Sequence, residues 1–225
     1  ANMAGAVARP SAVALNNVPL PFTLALADKG WRDARAQDPH LREGLNVCDA
    51  VVARLAQQGS FPGELTDELK GLVGTAAILH DVGKVTTPDH ILLKPGRLNE
   101  DELVVMREHA GNGEEILERA ARATPGENYL SIGAKIAGAH HEWFNGSGYP
   151  HGLKDEEISL LAKMGAVCDV YDAVTSVRAY KNPWDPALAM REMARWAGHF
   201  DKQIFNAFVK SVGIYPVGSL VKLSS

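Results

Sequence analysis

The sequence predicts an all-α fold: a helical bundle with a helical N-terminal extension and a short extended C-terminal tail. Three observations predict it. Apolar residues recur at three- and four-residue spacing through most of the chain, which is the period of a helix with one buried face. Almost nothing alternates apolar and polar at period two, as a half-buried strand would. The stretches between the apolar stripes carry caps and Gly or Pro breakers.

The first helix is expected over residues 20–37, with Leu24, Ala27 and Trp31 on one face, and Asp38-Pro39 breaks it. In "LNVCDAVVARLAQQ" the residues Leu45, Cys48, Val52 and Leu55 form the next stripe. "GSFPGEL" is a loop, and "TDELKGLVGTAAILHD" opens with acidic residues that suit the positive end of a helix dipole. Its inward face runs Leu69, Leu72, Val73, Ala76 and then His80. A histidine that continues a buried stripe is either a satisfied core residue or a ligand. After a Pro-Gly turn, Asn99 with Glu102 three residues on reads as a capping box, and Leu103, Met106 and Ala110 face inward with His109 at their border. Further helices are expected over "NYLSIGAKIAGAHH", "ISLLAKMGAVCDVYDAVTS", "PALAMREMARWAG" and "DKQIFNAFVKSV", before the extended "GIYPVGSLVKL". Small residues Ala162, Gly165 and Ala173 flank Asp169, so that a backbone or an ion can approach it closely.

Composition narrows the function. The chain has 225 residues, 46% hydrophobic and 22% charged, which suits a globular domain with a real core. A net charge of −4 and an isoelectric point near 6.1 speak against a DNA-binding protein, whose footprint is basic. Two cysteines, Cys48 and Cys168, make no disulfide framework and fit reduced thiols in the cytoplasm. No apolar run reaches the ~20 residues a membrane span needs, and no signal peptide stands at the start, so no membrane partner is expected. The two ends, Ala1 and "VKLSS", read as the edges of a piece of something longer.

The chemistry lies in six residues spread over the chain: His80, Asp81, His109, His140, His141 and Asp169. Imidazole nitrogens mixed with carboxylate oxygens suit iron, manganese, zinc or nickel rather than calcium. Six ligands exceed the needs of one tetrahedral zinc. Shared between two ions about 3.5–4 Å apart, with Asp81 as the bridge, the set becomes sensible. Such a pair clamps the attacking and leaving oxygens of a phosphoester, which points to metal-assisted phosphoester hydrolysis. No strand leads into a G-x-G-x-x-G turn, so NAD is not expected.

"LHDVGKVTTPDHILLKPGRL", "HHEWFNGSGYPHGL" and "AVCDVYDAVTSVRAYK" together closely resemble the HD-GYP family, a branch of the HD phosphohydrolases, from about Leu45 to the C-terminus. The resemblance implies an HD-type helical bundle over residues 43–225 holding two or three divalent metal ions, iron or manganese first and zinc or nickel as alternatives. It implies hydrolysis of cyclic di-GMP to pGpG or GMP, with Asp81 and Lys84 in catalytic positions. Lys84 would meet the scissile phosphate or the leaving oxygen. Gly148, Tyr149 and Pro150 would shape the substrate loop, and Arg178 and Lys181 would hold phosphate or guanine. Sensory, receiver or GGDEF-type domains are the partners such domains keep, and a homodimer is a further expected assembly.

The chain also departs from that family. Trp143, Phe144 and Asn145 stand where an Arg, a Trp and an Asp are usual, which removes a negative charge and is expected to loosen the loop's hydrogen bonding. Glu43 falls where the family's first ligand histidine stands; a carboxylate can bind the same metals, so Glu43 joins the expected metal set. These changes leave an alternative, a weak or inactive domain that acts as a cyclic di-GMP receptor or interaction module. Residues 1–47 resemble the C-terminal segment of alanine dehydrogenase, and 1–42 are expected to pack as a helical extension without dinucleotide chemistry.

Overall fold

The computed structural model describes residues 73, 76–124, 128–176 and 182–213. The expected helices at 20–37 and 45–58, the boundary at 42/43, the C-terminal tail, and Glu43, Arg178 and Lys181 lie outside them.

Within the described residues the architecture is all-helical, with no strand and only one isolated bridge, between Asn145 and Lys154. Residues 76–78 are α-helical and run into a 3-10 segment, Leu79–Thr86. Then follow α1 (Asp89–Leu92), α2 (Glu100–Ala123), α3 (Asn128–Ala139), a 3-10 turn (Asp155–Glu157), α4 (Leu160–Thr175), α5 (Pro186–Ala194) and α6 (Lys202–Val212).

The expected cap at Asn99 is present. Asn99 accepts from the Glu102 amide while the Glu102 carboxylate accepts from the Asn99 amide, so α2 starts where the motif placed it. Ser159, Asp185 and Asp201 cap α4, α5 and α6 in the same way, each accepting from a first-turn amide that has no helical partner. Two of the apolar centres among the described residues hold most of the helices together. Leu79, Leu117, Ala134 and Ala137 join the 3-10 segment to α2 and α3. Met164, Val167, Val174, Met190, Met193, Ile204, Phe205 and Phe208 join α4, α5 and α6. Burying each large side chain of this kind contributes about 1.5–3 kcal/mol.

One expectation on local structure needs correcting. The α-helix read through His80-Asp81 tightens into 3-10 form at Leu79. The backbone of this segment also crosses α2 closely. A Cβ on Gly83 would lie 2.0 Å from the His109 carbonyl oxygen and 2.4 Å from the Gly113 nitrogen, so this segment rests directly on α2. That crossing sets His80 and Asp81 beside His109.

Candidate metal centre

Four elements deliver the six residues. His80 and Asp81 come from the 3-10 segment, His109 from α2, His140 and His141 from the turn after α3, and Asp169 from α4. Gly165 lets α4 approach: a Cβ there would sit 3.0 Å from Ile136 and 4.0 Å from the His140 Cβ.

Backbone carbonyls fix three of the imidazoles. His80 Nδ1 lies 2.8 Å from the Ala77 oxygen, His109 Nδ1 2.6 Å from Met106, and His140 Nδ1 2.9 Å from Ala137. A carbonyl only accepts, so each Nδ1 carries the hydrogen, and on the neutral His109 and His140 rings Nε2 presents a lone pair. Those Nε2 atoms converge on Asp81. His109 and His140 stand 3.4 and 3.8 Å from Asp81 Oδ1, and His80 stands 3.4 Å from Oδ2. His80 Nε2 also lies 3.7 Å from Asp169 Oδ1. His141 closes the group, its ring centroid 4.0 Å from that of His140 and 5.1 Å from that of His109.

This arrangement fits cations and little else. The Nε2 atoms of His109 and His140 face each other at 3.5 Å, two lone pairs with no hydrogen to share. Asp81 Oδ1 is buried and has no hydrogen-bond partner among the described residues. Lone pairs and a bare carboxylate oxygen turned inward repel one another unless a positive ion lies among them. Two overlapping donor groups result, His109 with His140 and His141, and His80 with Asp81 and His140.

Burial and charge tune the same residues. Burial pushes His140 down to about 3, with the positive His80 adding to the effect. Burial also lowers His141 and His109, which leaves their rings neutral. Burial opposes charge on His80 too, but the Asp81 and Asp169 carboxylates overcome it and raise its pKa well above the usual histidine value. Asp81 and Asp169 resist the upward push of burial and stay far below the ordinary carboxylate range. The Lys84 and His80 charges do this for Asp81, and His80 does it for Asp169.

Lys84 is buried and its ammonium pairs with Asp81 Oδ2. Tyr149 lays its ring on His141, with centroids 4.7 Å apart at 27°, after a loop that Gly148 lets turn tightly: a Cβ there would lie 2.3 Å from the Trp143 nitrogen. The Tyr149-Pro150 peptide is cis. Asn145 Oδ1 accepts from both the amide and hydroxyl of Ser147.

Sequence reasoning missed Glu142. It is 2% exposed, and its Oε1 accepts from the His151 and Gly152 amides at 2.7 and 3.0 Å, tying both ends of the loop together. A glutamate directly after the histidine pair was the only available signal. Glu114 adds a second tie, 3.0 Å from His151 Nε2, passing over the bare backbone of Gly138.

A family model described as "HD domain" matches residues 27–204. The Pseudomonas aeruginosa protein named cyclic di-GMP phosphodiesterase PA4108 is 49% identical over 179 residues, covering 80% of this chain and 41% of that protein. A Vibrio cholerae protein named 3'3'-cGAMP-specific phosphodiesterase 2 is 38% identical over 173 residues, 71% of this chain and 32% of that one. The chain thus spans about two fifths or less of these relatives' lengths. Among solved structures, Bd1817 of Bdellovibrio bacteriovorus, described as a HDG"Y"P protein, superposes with a TM-score of 0.52 at 16% identity, over 88% of this chain and 63% of that one; this likeness concerns the fold. A His/Asp cluster able to take divalent metal is what that family implies, and the one built around Asp81 fits. With a match over most of its length, the chain belongs to the HD-domain family.

Proposed function

We propose that this domain is a metal-dependent phosphodiesterase that hydrolyses cyclic di-GMP to pGpG or GMP. The observation that carries the reading is the convergence of His80, His109 and His140 Nε2 on the Asp81 carboxylate, whose Oδ1 has no other partner among the described residues. The names of several relatives support the substrate, and three relatives named for 3'3'-cGAMP keep a second cyclic dinucleotide in view.

His80, Asp81, His109, His140, His141 and Asp169 would hold two or three ions, iron or manganese before zinc or nickel, with Glu43 as a further ligand. Bound there, divalent ions supply an activated water and neutralise charge that develops on the phosphoryl oxygens. The chain's own side chains do the rest. The Nδ1–H bonds to Ala77, Met106 and Ala137 keep each ring turned with its lone pair inward. Lys84, paired with Asp81, stands ready to meet a phosphate or leaving oxygen. Gly148, Tyr149 and Pro150 form the wall on the His141 side, and Arg178 and Lys181 are assigned to phosphate or guanine. We place the protein in the cytoplasm; no helix among the described residues is long and apolar enough to cross a membrane. Sensory, receiver or GGDEF-type domains and a second copy of the chain are its proposed partners.

The second reading, a receptor that binds cyclic di-GMP without turnover, rests on Glu43 in place of the usual histidine. One experiment separates the two. Protein loaded with iron, manganese, zinc or nickel is incubated with cyclic di-GMP and the products are resolved by chromatography, with calorimetry alongside. Conversion to pGpG or GMP is the expected result. Binding with intact substrate in every loading would establish the receptor, and neither binding nor turnover would refute both.

A further inference from the structure

Arg107 stands on α2 two residues before His109, about 200° around the helix, so that one faces solvent while the other is buried. Its guanidinium carbon lies 5.2 Å from the centroid of the Tyr149 ring. That ring in turn stacks on the His141 imidazole. Three flat groups are therefore layered outward from the metal centre: imidazole, phenol, guanidinium.

The outermost layer is exposed, and no carboxylate pairs with it among the described residues. A guanidinium resting on an aromatic face keeps its N–H donors in its own plane, pre-set for an anionic oxygen and losing little freedom on binding. Lys84 differs in this respect, since it is buried and engaged with Asp81. A cyclic dinucleotide carries two phosphates, and a single metal centre attacks one at a time. The other remains a full negative charge that must be met outside that centre, where the Tyr149 wall ends.

We propose that Arg107 binds the phosphate of the substrate that is not being cleaved, and so favours substrates with two phosphates over those with one. This rests on the cyclic dinucleotide reading above.

The test uses the metal-loaded protein with Arg107→Gln and Arg107→Lys, assayed on cyclic di-GMP and on bis(p-nitrophenyl) phosphate, a diester with one phosphate. For Arg107→Gln, KM for cyclic di-GMP rises about tenfold with kcat within about twofold, as for loss of a charge-assisted contact made equally in ground and transition states. The ratio of kcat/KM between the two substrates shifts about tenfold against cyclic di-GMP, and KM becomes less sensitive to salt. Arg107→Lys recovers part of the loss, since a point charge still attracts the phosphate. If the protein binds without turnover, the same factor is read in Kd by calorimetry. Equal loss on both substrates, lowered metal content or an unchanged KM would overturn the proposal while leaving the function standing. Wild-type protein that neither binds nor cleaves cyclic di-GMP would end both.

Discussion

Asp81 divides its two oxygens between different neighbours: Oδ1 faces His109 and His140, while Oδ2 faces His80 and Lys84. An amide in its place keeps the shape but offers one acceptor and puts a donor where a lone pair is needed. Asp81→Asn is therefore expected to cut bound metal, measured by elemental analysis, to less than half of the wild-type ratio. It also leaves the Lys84 ammonium buried without its counter-charge, which costs about 3 kcal/mol in the metal-free protein. Adding Lys84→Met removes that orphaned charge. The double variant recovers stability in urea melts yet stays poor in metal. Recovery of metal together with stability would show that Asp81 serves folding rather than ligation.

At the scale of the element, the loop after α3 is the part on which Tyr149 depends. Glu142 holds it from beneath through two amides, and among the described residues no other side chain reaches both. Glu142→Ala removes the acceptor of two part-buried hydrogen bonds whose donors water can reach, and is expected to cost about 1–2 kcal/mol. It should also raise KM for cyclic di-GMP more than it lowers metal content, because His140 keeps its own bonds to Ile136 and Ala137. Equal falls in metal and activity would show that the loop and the ligands move as one unit. The sequence made much of this region legible. The Asn99–Glu102 box marked the start of α2, and paired histidines before a Gly-rich turn marked a site. The 3-10 form at Leu79 and the crossing of Gly83 on α2 were not legible, since no local pattern encodes a contact between segments so far apart in sequence. Glu142 and Arg107 escaped for the same reason: a glutamate and an arginine at a helix end or face look solvated until the partner loop is in place.

At the scale of the whole molecule, the candidate ligands could be picked out because metal chemistry restricts residue type, and the all-α class because helical period recurs in every segment. How the two apolar centres meet was not readable, and His199 shows why. It lies in the turn between α5 and α6, yet its carbonyl accepts from the Phe144 amide and its ring stacks on Trp143 at 4.4 Å, with Trp196 and Phe200 against it. This turn and the site loop thus share one aromatic cluster. Burial there pushes His199 down to about 4. A folded pKa below the ordinary 6.5 means that between about pH 6.5 and 4 the unfolded chain holds a proton that the folded chain does not. Stability therefore falls as pH drops through that window, by on the order of 2 kcal/mol after allowance for the ring's partial exposure. Below about pH 4 the ring is protonated in both states and the loss stops growing. His199→Gln cannot titrate, so urea melts of variant and wild type should diverge in their pH dependence only within that window. The variant should lose less stability on acidification. Parallel pH profiles would show that the ring is as well solvated folded as unfolded, and that the site loop is not coupled to the α5–α6 turn through it.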